Sequence, residues 1–250
     1  MLGIGQISTR IAELIRGMLP YAIVNNNLDQ SLFSKLICYT EVQYALDAGW
    51  KWIQVRSSDV DYMNFTITTA KTKIDSCWGA RFTNINTAGG QHVVGVSANH
   101  CVLTGLNTYT LGGATSNDRR GYNILGAGCY LIDCRVEDSD GSGFFMAASG
   151  GLTGTDNTLI GCVVQDCDDY GFLATTARNT WIGCTGVSSG SNNFYINGAN
   201  FVWVANRSFL NFAVDTGGTN GIAVGNIMDG QFDGTGSGNL LLSATYNKQY

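Results

Sequence analysis

Asn157-Thr-Leu-Ile-Gly-Cys162 and Asn179-Thr-Trp-Ile-Gly-Cys184 are nearly the same six residues met twice. Asn200-Phe-Val-Trp-Val-Ala-Asn206 and Gly221-Ile-Ala-Val-Gly-Asn226 continue the pattern downstream. His100-Cys-Val-Leu-Thr-Gly105 and Cys129-Tyr-Leu-Ile-Asp-Cys134 precede it, and Thr72-Lys-Ile-Asp-Ser-Cys77 is a looser copy. Taking Cys77, Gly105, Cys134, Cys162, Cys184, Asn206 and Asn226 as one column gives spacings of 28, 29, 28, 22, 22 and 20. Self-similarity at such a period is the mark of a solenoid. One coil of three short strands and three turns needs about this length, and the longer coils add a loop.

A second column follows the first: Gly143-Phe144, Gly171-Phe172, Asn193-Phe194 and Asn211-Phe212. A residue tolerant of a left-handed turn, followed by a large apolar one, suits a corner leading into a buried strand. No single coil can bury its own inward face, but stacked coils share a continuous core with strands ~4.8 Å apart. Like residues then stack, which accounts for cysteines at 134, 162 and 184 and asparagines at 157, 179 and 200. The expected fold is an all-β, right-handed parallel β-helix of about seven coils.

Composition agrees. The 250 residues include 33 Gly and 1 Pro, with only 13% charged, which suits many short strands and tight turns. Net charge is -5 with no basic run, so neither nucleic acid nor an anionic membrane is expected as a partner. No stretch approaches the ~20 apolar residues of a membrane span. Arg10, Glu13 and Arg16 interrupt the N-terminal apolar residues, so a secretory leader is not expected and the eight cysteines should stay reduced.

The repeat Asn-x-x-Ile-x-x-Cys-x-Val-x-Asp-Cys-x-x-x-Gly-Phe resembles that of pectate-lyase-like right-handed β-helices, common in bacteriophage tailspikes and virion appendages. The entry is similar too: Thr40 can cap a short helix with Gln43 at the reciprocal position, Gly49 ends it, and Trp52–Val55 and Asn64–Ile67 form the first strands. The organisation expected is an N-terminal helix and linker over 1–39, the solenoid over 40–240 and a tail over 241–250. Within the first segment Ile7, Ile11, Leu14, Ile15 and Met18 make one helical stripe stopped by Pro20, suited to capping the solenoid or to docking on a larger particle.

Candidate chemistry is concentrated in two coils. Asp133, Glu137, Asp138 and Asp140 fall in one; Asp166, Asp168 and Asp169 fall in the next. Aligned on Cys134 and Cys162, Asp138 lies over Asp166 and Asp140 over Asp168. Solvated turn residues are the first reading of these acids, calcium ligation the second and glycoside cleavage the third. Asp168-Asp169 is similar to the paired aspartates of polygalacturonases, but their Gly-His-Gly and Arg-Ile-Lys motifs are missing, and His92 and His100 lie in other coils. Cys129 and Cys134, like Cys162 and Cys167, are five apart, which does not suit a zinc site. Cys101, Cys134, Cys162 and Cys184 are expected as small core residues. No metal or other cofactor is expected.

The segments Asn107–Arg120 and Ala147–Asp156 are expected to be loops. Tyr109, Asp118, Arg119 and Arg120 are the binding candidates if they project together. Phe201, Trp203 and Phe209 are candidates for contact between solenoids if the pleat turns any of them outward. The function expected is that of a non-catalytic virion structural protein, a decoration, cement or spike subunit. It would be assembled in the host cytoplasm as a homotrimer and be bound to other capsid or tail proteins. The alternative is a tailspike-type enzyme that binds and cleaves a cell-surface glycan. Some 40 residues before the solenoid and about ten after it favour the first, since a tailspike enzyme resembles a longer chain. A bacterial carbohydrate-binding or lyase β-helix comes third.

Overall fold

A computed structural model describes residues 22–25, 38–58, 60–77, 80–84, 92–110, 119–215, 217–229, 232–234, 238–242 and 245–246. The docking candidates Ile7, Ile11, Leu14, Ile15 and Met18, and with them Asp118, lie outside the described residues.

Three parallel sheets run the length of the molecule, and from Trp52 onward successive strands of the chain visit them in turn, so sheet neighbours there are one coil apart. This is a right-handed parallel β-helix, all-β among the described residues apart from one short helix. Sheet A begins each coil, as at Tyr130–Ile132, Thr158–Ile160 and Thr180–Ile182. Sheet B follows at Arg135–Ser139, Val163–Cys167 and Thr185–Ser189. Sheet C closes the coil at Phe144–Met146, Phe172–Ala174 and Phe194–Ile196. Complete coils extend from Trp52 to Gly234. Leu240–Leu242 and Thr245–Tyr246 continue sheets A and B beyond them. The column from Cys77 to Asn226 leaves out the coils at either end because neither carries its Cys or Asn marker.

The ladders place like over like. Phe144, Phe172, Phe194 and Phe212 are in register. Their rings are near parallel, with centroids 5.1, 4.6 and 4.5 Å apart, and Tyr122 extends the stack. Near-parallel rings at that separation are offset, the favoured arrangement, worth about 0.5–1.5 kcal/mol per pair beyond burial. Cys134, Cys162 and Cys184 are fully buried one above the next. Below them the column changes chemistry: Asn206 Oδ1 accepts from the Cys184 amide at 2.8 Å, and Asn226 Oδ1 from the Asn206 amide at 2.9 Å. Buried amides thus bond along the axis and leave no costly orphan group.

Two expected columns are off by one. Leu106, not Gly105, stacks with Cys134, because Thr104 pairs with Ile132. Gly105 instead takes the left-handed turn before it, where Asp133, Gly161, Gly183, Ala205 and Gly225 follow in register. Asn157 and Asn179 stack as expected, with Asn157 N donating to Asn179 Oδ1, but Phe201 rather than Asn200 comes next, because Thr180 pairs with Val202. Phe201 and Trp203 therefore point inward, 2% and 1% exposed, and are not contact residues; Phe209 does face solvent.

The residues before the phenylalanines also correct their rationale. Gly143 and Gly171 do not have left-handed backbone. Their need is space: a Cβ at Gly143 would sit 2.7 Å from the Gly171 carbonyl and 2.9 Å from Val164. One coil later the pair is exchanged. Gly186 replaces the valine, and Asn193 fills the room, donating from Nδ2 to the Gly186 carbonyl at 2.8 Å.

The first coil is closed by the segment before it. Ala22–Val24 and Cys38–Tyr39 extend sheet A, and the helix Val42–Asp47 buries Val42 and Ala45. Thr40 is not the cap: Glu41 holds that position without a side-chain capping bond. Glu41 and Gln43 turn outward to the open strand edges, where Oε2 of Glu41 accepts from Met63 N and Oε1 of Gln43 from Thr66 N, both at 2.9 Å. Those amides edge sheets B and C, so the helix satisfies donors that would otherwise invite a further strand. Gly49, at φ 86°, ends the helix as expected.

Cys162→Asp places an unpaired charge in the fully buried column and is expected to destabilise by more than about 4 kcal/mol, abolishing folding, whereas Cys162→Ala folds with a lowered Tm. Circular dichroism melts decide it; a Cys162→Asp protein that melts with the parent contradicts this register.

Candidate functional site

In coils four to six the sheet B strand breaks its own alternation. The burial pattern of Arg135–Ser139, Val163–Cys167 and Thr185–Ser189 keeps the third and fourth residues both outside and returns the fifth to the core. The cause is a left-handed fourth residue: Asp138, Asp166 and Ser188 have φ of 49°, 52° and 56°. Aspartate and serine suit such a bend because short polar side chains can bond the local backbone. Past the bend Ser139, Cys167 and Ser189 stack inward. Asp140, Asp168 and Gly190 then make a second column.

The result is an open cleft of about 520 Å³, with Asp138, Asp166 and Ser188 on one bank and Asp140, Asp168 and Gly190 on the other. Tyr109, in the strand Asn107–Thr110 of the preceding coil, lines the same cleft and pairs with Glu137 in the ladder. The stacking of Asp138 over Asp166 and of Asp140 over Asp168 follows from the register, with members of each column one strand spacing apart, ~4.8 Å at the backbone.

The four acids are not equivalent. Asp140 accepts an ion pair from Nη1 of Arg119 at 3.4 Å, with the two side chains 4% and 13% exposed. Burial pushes the Asp140 carboxyl above its ordinary value, Arg119 pulls it back, and Asp168 adds to the rise. Asp138, Asp166 and Asp168 are solvent-facing. Burial, reinforced by the three nearby aspartates, raises the Cys167 thiol to about 12, so it stays protonated and is no nucleophile. Round the corner, burial raises Asp169, which accepts from Ser142 Oγ at 3.0 Å.

The binding candidates are divided. Asn107–Thr110 is strand rather than loop, which brings Tyr109 to the acids. Arg119 is buried against Asp140. Arg120 lies over the Phe145 ring at 3.7 Å, on the sheet C side. Ala147–Asp156 joins sheet C to sheet A, while residues 111–118 of the other segment lie outside the described residues. Among the described residues, no group of three or more His, Cys, Asp or Glu is arranged to hold a metal ion. Stacking was legible in the spacing of the acids. The Arg119–Asp140 pair was not, because it joins residues 21 apart across a corner.

A raised carboxyl has a defined consequence for stability. The unfolded chain loses the Asp140 proton first, so the contribution is complete below about pH 4 and is lost as pH rises through the folded value. The melting temperature of Asp140→Asn minus that of the parent should therefore increase from pH 4 to pH 7; a flat difference would show that Asp140 is not perturbed.

No protein-family model and no curated relative matches this chain. Among solved structures it is similar to the tailspike protein gp49 of Acinetobacter baumannii bacteriophage Fri1, a capsular polysaccharide depolymerase, with a TM-score of 0.46 and 11% identity. The match covers 90% of this chain but 56% of that one, and the fold assignment here stands on the three ladders themselves.

Proposed function

We propose that this chain is a spike subunit of a bacteriophage particle that holds a cell-surface polysaccharide in the sheet B cleft and hydrolyses it. The observation that carries the reading is the cleft: two stacked columns of aspartate with one carboxyl raised by burial, beside an aromatic ring. Carboxylates accept the hydroxyl hydrogens of sugars, and the Tyr109 ring offers an apolar face to pyranose C–H groups. The described lining is mostly acidic, with Arg119 held by Asp140 and Arg81 lying over the Tyr109 ring, so a densely anionic glycan is disfavoured. The virion setting, the homotrimer and the contact with capsid or tail proteins rest on the resemblance of the repeat to phage β-helices.

The chemistry follows from the inequivalence of the acids. Asp140 holds its proton to higher pH and can deliver it to the glycosidic oxygen as that bond breaks. Asp168, one coil along, attacks the anomeric carbon. Water, giving a proton to Asp140, then releases the sugar from Asp168. Carboxyl groups one strand spacing apart match the ~5 Å separation of retaining glycosidases, too close to admit a water between acid and base. Arg119 positions Asp140 and limits how far its pKa rises.

The test is incubation of the purified protein with surface polysaccharides of its bacterial host, scoring new reducing ends. Asp140→Asn and Asp168→Asn should each lose about 10²–10⁴-fold while melting as folded proteins. The parent rate should fall as pH rises through the Asp140 value, since the acid must be protonated to act. A parent that neither binds nor shortens the glycan overturns the reading and leaves a non-catalytic decoration, cement or spike subunit. Unsaturated ends in place of reducing sugars alone would make it a lyase.

A further inference from the structure

On sheet C the middle residue of each strand points away from the core, and Phe145, Leu173, Tyr195 and Ala213 follow one another there in register. Arg120 lies over the Phe145 ring at 3.7 Å, so that ring face is taken. Leu173 and Ala213, 9% and 7% exposed, make a floor on either side of Tyr195. Tyr170, at the corner that leads into Phe172–Ala174, brings its ring to 4.7 Å from that of Tyr195, inclined by 39°. The Tyr195 hydroxyl donates to Oδ2 of Asp215, one coil on, and that bond raises the phenol to about 12, so it stays protonated. Both tyrosines are partly exposed, and neither lines the cleft.

We propose that Tyr170, Tyr195 and Asp215 form a second saccharide subsite, which takes a pyranose unit of the same polymer that lies in the sheet B cleft. The proposal rests on the reading of that cleft as a glycan site. Chemistry selects the ligand. A tyrosine ring meets the C–H face of a sugar, while the carboxylate at its edge meets the hydroxyls. A wholly apolar partner would instead strip water from Asp215 and give nothing in return. Tyrosine offers a large rigid contact with few rotors, and Asp215 pins one ring before any ligand arrives, so little ordering entropy is lost on binding. Position links the two sites. Asp168 stands on the cleft bank, and Asp169 and Tyr170, the next two residues, turn the corner from sheet B to sheet C. Asp169 accepts from Ser142 of the preceding coil at 3.0 Å, which ties the corner between coils. A chain that leaves the cleft across this corner meets Tyr170 first, and the covered Phe145 ring bounds the subsite on one side.

The test is titration calorimetry with single-repeat and longer oligosaccharides prepared from the surface polysaccharide of the host, with Asp168→Asn carried in every protein so that nothing is cut. Longer fragments should bind more tightly than the single repeat. Adding Tyr170→Ala or Tyr195→Ala should weaken the longer fragments by about three- to tenfold, the weight of one aromatic contact, and leave the single repeat unchanged. Tyr195→Phe keeps the ring and should lose less than Tyr195→Ala. Tyrosine variants that bind every length as the parent does, or that lose all lengths equally, would overturn the proposal, as would a parent that binds no length at all. If the tyrosines act as predicted on binding but the protein with Asp168 intact releases no reducing ends, the hydrolytic reading of the cleft fails and the subsite stands.

Discussion

The strand ladder at ~4.8 Å sets everything else in this molecule. Each coil is too thin to have a core, so its inward residues are buried only by the coils above and below. A side chain chosen at one level fixes the shape and polarity allowed at the next. Where the neighbour is another phenylalanine the rings offset and stack, and where it is asparagine the amides bond along the axis. The exchange of Val164 and Gly171 for Gly186 and Asn193 shows the same constraint at work between two small groups and two larger ones.

The same ladder builds the cleft. A left-handed residue in one sheet B strand would be a local irregularity. Repeated at Asp138, Asp166 and Ser188 it becomes a continuous bend, and the polar residues that tolerate it line one bank along the axis. Structural turn residues and functional carboxylates are therefore not competing explanations of the acids. The bend needs a short polar side chain, and stacking then concentrates charge. What distinguishes Asp140 is its depth beside Arg119, a buried cation with which it forms an ion pair. Such a pair is costly to desolvate and is retained here at the edge of an open groove.

Much of the fold was legible in the sequence because stacking turns spatial neighbours into periodic ones. The Phe and Cys columns, and the superposition of Asp138 on Asp166, are read directly from spacing. The errors fell where two adjacent positions both favour a small or polar residue. Gly105 belongs to the left-handed turn and Leu106 to the core. Asn200 takes a turn while Phe201 replaces asparagine inside. A one-residue slip reverses every side chain in a strand, so the contact role of Phe201 and Trp203 depended on the pleat, which turns both into the core. The cleft itself was not legible as a cleft, since Tyr109 stood in an expected loop and the Arg119 contact crosses a corner with no periodic signal.

Whether the stacked carboxyls act as a catalytic pair is most directly answered by the anomeric configuration of the first sugar released, followed by proton NMR during cleavage of a defined oligosaccharide. Carboxyl groups one strand spacing apart predict retention, through a covalent sugar on Asp168. Inversion, or a 4,5-unsaturated product, would contradict the assignment of Asp140 and Asp168 as acid and nucleophile.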